Sequence, residues 1–471
     1  MSFDARRRFR RPRIAAWLGL LLAVLLLVAA GFADRQLKTS THPGFLPEDM
    51  PLYLYTADLP MAWLRFSRTT LGVNLAEEAS AALRGMELSI RQSTGIRPTP
   101  SRLRTWLGGS MVAAVDGRDW ILCARPGLAA RAASIFFGGK VFHNGRLHQA
   151  WRSGFLLISS NSGMIEKALA APPVIFDIPE GISRGAVVME LRRPLRAVIA
   201  VTPSATLPVE ARILPTETFS PGPSGTWAAP VLAGSPTALL SFSDAQSAAK
   251  LGTLVAAIDM PEVAGGIFPE LVSRWSLGRL PSLLSRNPAP NTPISCALYD
   301  LSTAYGAPMP QLAAATSATQ WLDALLPPSS PASSLLSYEW SGCSGWMFPL
   351  LGDQFSLYGF KRDDTQYLAT QENLAAMLAA APATTEPGIE DNAVITLDWQ
   401  RAASIIMETA AWAAIHELLA ETSATDLDAT LMPVMRALAK CGIMHIGARW
   451  TSDGLSCRGV LTGVPRMAGT Q

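Results

Sequence analysis

Residues 14–33 (IAAWLGLLLAVLLLVAAGFA) run for twenty positions without a charged side chain. Hydrocarbon offers no water to backbone N–H and C=O groups, so a helix is the form in which such a run crosses a bilayer. At 1.5 Å per residue the helix would be about 30 Å long, the thickness of the hydrocarbon core. Arg6, Arg7, Arg8, Arg10, Arg11 and Arg13 precede it against one acid, Asp4, while Asp34, Arg35 and Lys38 follow. The positive-inside rule then puts residues 1–13 in the cytoplasm and the body beyond the cytoplasmic (inner) membrane, on the periplasmic side. The competing reading is a cleaved signal peptide, since Val28-Ala29-Ala30 and Gly31-Phe32-Ala33 have small residues at cleavage spacing. A signal core is typically about 7–15 residues, shorter than this run, so a retained signal-anchor is preferred.

The charge outside this region is sparse. Charged residues make up 16% of the chain and hydrophobic ones 49%, against a usual charged share of about 25%. Of the net charge of +2, residues 1–13 supply +5, leaving −3 for the remainder. A faintly acidic body argues against nucleic acid as a partner, because phosphate binding needs a basic patch. Cys123, Cys296, Cys343, Cys441 and Cys457 form no C-x-x-C pair, so zinc-ribbon and thioredoxin-like sites fail. Their scatter points to buried free thiols, with up to two bridges as the alternative. None of the seven Asn opens an N-x-S/T sequon, and the source reads as bacterial.

A strand, an acid and a helix-compatible stretch recur four times, at 52–66, 186–201, 238–252 and 393–408. Asp58, Glu190, Asp244 and Asp398 stand at the strand-to-helix corners, where a carboxylate can cap orphan N–H groups. A second pair, residues 155–172 and 366–382, shares a strand, a polar corner, a helix and a closing proline. Residues 141–148 contain Asn144-Gly145, a two-residue hairpin signal that would set His148 opposite Val141. Residues 337–360 alternate aromatics with Gly and Pro and read as an antiparallel meander; residues 443–461 read as a hairpin turning at 452–454. The fold class is therefore α+β: one N-terminal transmembrane helix (14–33), a tether (34–49), and two related halves with antiparallel sheets (50–201 and 235–463). A Pro/Ser/Thr/Gly-rich linker (202–234) joins the halves, and a tail (464–471) closes the chain.

With the Arg-rich start and single apolar helix, the segment PEDMPLYLYTADLPMAW (47–63) opening a duplicated body resembles a bacterial family of membrane-anchored extracytoplasmic proteins of unknown function. The resemblance lies in the overall plan, and it implies no activity and no site residues.

Motifs with chemistry fail one by one. His143 and His148 flank a turn and would share a sheet face, but a zinc site needs three or four ligands and the hairpin supplies no others. His416-Glu417 lacks a second His one turn on, because position 420 is Ala. The Gly-Lys at 139–140 has Ser134 and Val141 where a phosphate loop needs Gly and Ser/Thr. The sequence 342–346 ends in Trp346 where a nucleophile elbow needs Gly, so a glycine-relieved aromatic strand or loop explains it better. No catalytic, cofactor or metal residue is assigned. Of thirteen Trp, Trp120, Trp399 and Trp450 read as core, while Trp340 and Trp346, in a Gly/Ser-rich setting, are the candidate exposed binding aromatics. The leading expectation is a single-pass, non-enzymatic binding or scaffold module of the cell envelope. It would be held by residues 14–33 and would contact envelope proteins or polymers. The alternatives are an extracytoplasmic hydrolase with dispersed catalytic residues and a carrier of an apolar ligand.

Overall fold

Short runs of alternating polarity, broken by turn residues and only a few helical stretches, dictate a body dominated by antiparallel sheet. The computed structural model has that character and describes residues 41–78, 80, 84, 108–116, 119–127, 141–144, 147–177, 186–192, 196–204, 207–214, 225–244, 246–248, 250, 292–304, 306–317, 336–351, 355–382, 384–416, 424–452 and 454–462. The proposed membrane segment and the Gly-Lys at 139–140 lie outside the described residues. Among the described residues no helix is long and apolar enough to cross a membrane.

In chain order the first elements are β1 (Thr41–Gly44), β2 (Leu52–Thr56), α1 (Leu59–Phe66), α2 (Thr70–Glu78), β3 (Met111–Asp116) and β4 (Asp119–Ala124). There follow β5 (Val141–Asn144), β6 (Leu147–Arg152), β7 (Phe155–Ser159), α3 (Ser162–Ala170), β8 (Val174–Asp177), β9 (Val187–Leu191), β10 (Arg196–Val201) and β11 (Pro208–Leu214). Next come β12 (Trp227–Pro230), β13 (Ala238–Phe242), β14 (Ile294–Ala304), β15 (Ala307–Thr316), β16 (Leu336–Trp340), β17 (Cys343–Leu351), β18 (Phe355–Arg362) and β19 (Thr365–Ala369). The remainder is α4 (Glu372–Ala380), β20 (Thr385–Ile389), β21 (Ala393–Asp398), α5 (Trp399–Ile415), α6 (Ala424–Ala439), β22 (Ile443–Thr451) and β23 (Gly454–Thr462). Two compact units result: Met1–Met50 with Leu54–Pro60 and Ile90–Arg184, and Pro51–Tyr53 with Met61–Ser89 and Gly185–Gln471. These do not coincide with the halves read from the sequence.

In the first unit β3, β4, β7, β6 and β5 pair antiparallel in that order, and β1 pairs with β8. The hairpin forms with its pairing shifted by two residues from expectation: Asn144 pairs with Leu147 and His143 stands opposite His148. Helix α3 starts because Asn161, in extended conformation, accepts the Gly163 N–H at 2.8 Å, and its amide also donates to Asp119 at 3.2 Å. The helix buries Met164, Ile165 and Ala168, while Arg152 donates to the carbonyls of Ala168 and Ala171 at 2.7 and 2.6 Å. One guanidinium thus satisfies two carbonyls that a helix end leaves orphaned.

In the second unit the sheet runs β9-β10-β11-β23-β22-β21-β13-β14-β15-β19-β18-β17-β16, antiparallel throughout. Side chains alternate between its faces. One face carries Phe242, Ile294, Ala393, Ala448 and Trp450, with a neighbouring cluster of Leu207, Cys441 and Leu461 packed by Leu71 of α2 and Trp399 of α5. The other face, toward β16, carries Trp340, Phe360, Tyr367, Ala313 and Ala369 under Leu374, Ala375, Leu378 and Ala379 of α4. The meander at β16–β18 and the closing hairpin β22–β23 form as the alternation requires.

Several expectations need correction. Residues 186–201 form two paired strands, β9 and β10, where a strand and a helix were expected; Glu190 pairs with Arg192 at 2.9 Å. Asp398 does cap α5, accepting from Gln400 N at 2.9 Å, and Asp244 accepts from Ser247 N at 2.7 Å. Strand β1 lies within the expected tether, and β11 and β12 lie within the expected linker. β11 is a sheet strand bonded to both β10 and β23, its alternation of Val209, Ala211 and Ile213 hidden between proline-rich flanks. Helix α5 ends at Ile415, with His416 as its C-cap.

Candidate functional site

A recess in the second unit forms where β19 hands over to α4. Thr370 fixes this corner: its hydroxyl accepts the Leu312 N–H at 2.9 Å and lies 3.2 Å from the Pro310 carbonyl. Gln371 occupies the N-cap with φ −146° and ψ 149°, yet its side chain makes no capping bond. Glu372 sits in the first turn, where its carboxylate faces the positive end of the helix. Asn373 accepts the Leu374 N–H at 2.8 Å. With Ser356 and Tyr358 of β18 and Ala376 of α4, these residues line an open pocket of about 530 Å³.

Tyr358 is half-buried at the pocket wall and braced edge-on by Tyr338 and Trp340, at ring distances of 6.0 and 5.8 Å. Burial pushes its phenol pKa up, and the Glu372 charge adds to this while a bond with Ser356 opposes it. The phenol therefore stays a neutral hydrogen-bonding group.

Trp340 is not exposed. It is 6% accessible, stacked on Tyr338 at 5.0 Å and tilted on Phe360 at 5.8 Å. Gly345 makes this possible, because a Cβ there would lie 2.7 Å from the Trp340 ring. Its indole N–H has no hydrogen-bond partner among the described residues. Trp346 is half-buried, packs against the Phe242 cluster, and covers Gly359, where a Cβ would fall 2.3 Å from the ring. Both tryptophans are thus packing residues of a glycine-relieved meander, and Tyr358 is the aromatic that reaches a pocket. The sequence pattern showed the polar corner at 370–373 but not its partner across the sheet.

A second groove of about 410 Å³ is lined by Ser241, Thr396, His445, Glu386, Glu390 and Asp391 among others. The Ser241 hydroxyl is shared with Ser295 at 2.9 Å, and His445 Nδ1 lies 3.2 Å from the Thr396 hydroxyl. Asp391 and Glu390 hold Arg449 at 2.6 and 3.2 Å.

All five cysteines are free, and burial pushes Cys123 and Cys457 up to about 11 and Cys296 up to about 12. His416 packs on Trp412 at 4.7 Å. Among the described residues no three His, Cys, Asp or Glu are grouped to hold a metal. In comparisons with known proteins, no family model, curated protein or solved structure matches the chain.

Proposed function

We propose that this chain is a single-pass membrane protein whose duplicated α+β body is presented outside the cytoplasm to bind an envelope component. The observation that carries the membrane reading is the uncharged run 14–33 behind six arginines. The resemblance carried by residues 47–63 agrees with it.

Duplication is supported by matched spacing. β7 and β19, α3 and α4, and the helix-capping Arg152 and Arg362 are each 210 positions apart. β1 and β12, and β2 and β13, are each 186 apart, and so are Asp58 and Asp244. Arg362 donates to Ala379 and Ala381 as Arg152 does to Ala168 and Ala171. Between β21 and β22 the second copy carries α5 and α6, whereas β9 and β10 of the first are four residues apart in sequence (192–195).

The binding role is supported by the recess at α4, where a half-buried tyrosine meets five polar side chains. A C-terminal fusion to a phosphatase active only outside the cytoplasm tests the placement. Active fusion that stays with the membrane in alkaline carbonate is expected. Activity of a cytosolic reporter alone, or release of the intact chain by carbonate, overturns it.

A further inference from the structure

We propose that the pocket between β18 and the start of α4 is a saccharide site, with the Tyr358 ring as the platform for a pyranose and Gln371, Glu372 and Asn373 as its hydrogen-bonding rim. This deepens the binding reading above, on which it rests for the setting in which the ligand is met.

The chemistry of the lining selects the ligand class. A volume of about 530 Å³ lies within the usual range for small-ligand sites, about 300–1,000 Å³. Its openness to solvent suits a unit of a longer polymer better than an enclosed metabolite. A pyranose presents one face of C–H groups and an equatorial belt of hydroxyls. An aromatic ring covers the first, and side chains that both donate and accept satisfy the second. Tyr358 supplies the ring. Gln371 and Asn373 supply amides, and Glu372 supplies a carboxylate that can accept from two hydroxyls.

Other classes fit less well. Glu372 sits at the one place where a phosphate or sulfate would gain from the helix N-terminus, and its charge repels them. Most of the lining residues are polar, which disfavours an apolar ligand.

The two copies differ where the proposal needs them to differ. At the matching corner of the first unit, Asn161 commits its side chain to Gly163 N and to Asp119. Ser162 and Gly163 stand there in place of Glu372 and Asn373. Gln371 makes no such capping bond, so its amide is available to a ligand. The tyrosine is braced on Tyr338 and Trp340, so presenting its ring to a sugar costs little ordering of a mobile side chain.

The test is saturation-transfer NMR on the full chain in a detergent without a sugar headgroup. Tri-N-acetylglucosamine and cellotriose are the saccharide probes, with inorganic phosphate competition and adenosine as controls. Transfer to a trisaccharide is expected, stronger than to its monosaccharide and unaffected by phosphate. Glu372→Gln and Gln371→Ala should each weaken it at least fivefold. Tyr358→Phe should retain it, because the ring is kept, and Tyr358→Ala should abolish it. Asn161→Ser in the first unit should leave it unchanged. Glu372 is exposed, so its variant keeps the fold and decides the matter if Tyr358→Ala unfolds. No transfer from either trisaccharide, equal transfer to Glu372→Gln, or transfer from adenosine alone overturns the proposal. A cytoplasmic result in the fusion experiment would leave this measurement intact, so the two readings fail separately.

Discussion

Removing the guanidinium of Arg362 should loosen α4 without unfolding the sheet beneath it. Arg362 Nη1 donates to the carbonyl of Ala379 at 2.5 Å and to that of Ala381, both at the helix C-terminus. A hydrogen bond from a charged donor contributes about 1.5–3 kcal/mol, and a cation at the negative end of the helix about 0.3–1 kcal/mol more. Arg362 is half-buried, so water would take over part of the task in its absence, which places the loss near 2 kcal/mol. Methionine is the substitution to use, because it keeps an apolar stem of similar length and removes the guanidinium with its charge and its donors. A two-unit chain need not unfold in one step, so a global melt would blur the effect. Hydrogen exchange resolved to the peptide 370–382 reads the local opening directly. At 1.4 kcal/mol per tenfold change, a loss near 2 kcal/mol is about a 30-fold faster exchange. Peptides from β22 and β23 should be unaffected. Exchange in 370–382 within twofold of the parent chain would refute the assignment of Arg362 as the cap.

Gly359→Ala places a Cβ 2.3 Å from the Trp346 ring; overpacking of this kind costs about 1–3 kcal/mol and should register as a lower melting midpoint with altered near-ultraviolet dichroism. Asp398→Ala removes the carboxylate that accepts from Gln400 N and Arg401 N; a loss of about 1 kcal/mol is expected, seen as faster exchange in the first turn of α5. Cys296 is held near 12 by burial, so at pH 8 its thiol is protonated and should resist iodoacetamide in the native chain. It should react on unfolding, and mass-resolved labelling of the native protein at pH 8 would contradict this. Half-buried Glu78 and exposed Lys440 are ion-paired, the carboxyl lowered and the ammonium raised, chiefly by their mutual hydrogen bond. The contribution of Glu78 is complete above its ordinary value of 4.5 and fades as pH falls through the lowered native value, so contact of α2 with α6 should weaken in acid, an effect Glu78→Gln abolishes.

Local pattern made much of the fold legible. The strand, corner and helix at 155–172 and 366–382 were readable because each side chain involved acts within a few residues of its neighbours. β10 was misread because Arg196–Val201 offers the same apolar content to a helix or a strand, and pairing with β9 and β11 decides between them. Trp340 looked exposed because its neighbours in sequence are Ser and Gly. The space that receives its ring is opened by Gly345 and walled by Phe360, set by strand register. The pocket needs Tyr358 and Gln371 together, thirteen positions apart, which only the β18–β19 pairing supplies.

β23 lies between β11 and β22, bonded to each along most of its length. A chain cut before Gly454 would therefore lack one strand yet expose two raw edges, each offering a row of unmet N–H and C=O groups. Such edges template pairing with other molecules. Truncated products of this protein should accordingly accumulate as aggregates, while trimming after Thr462 should be tolerated by this sheet.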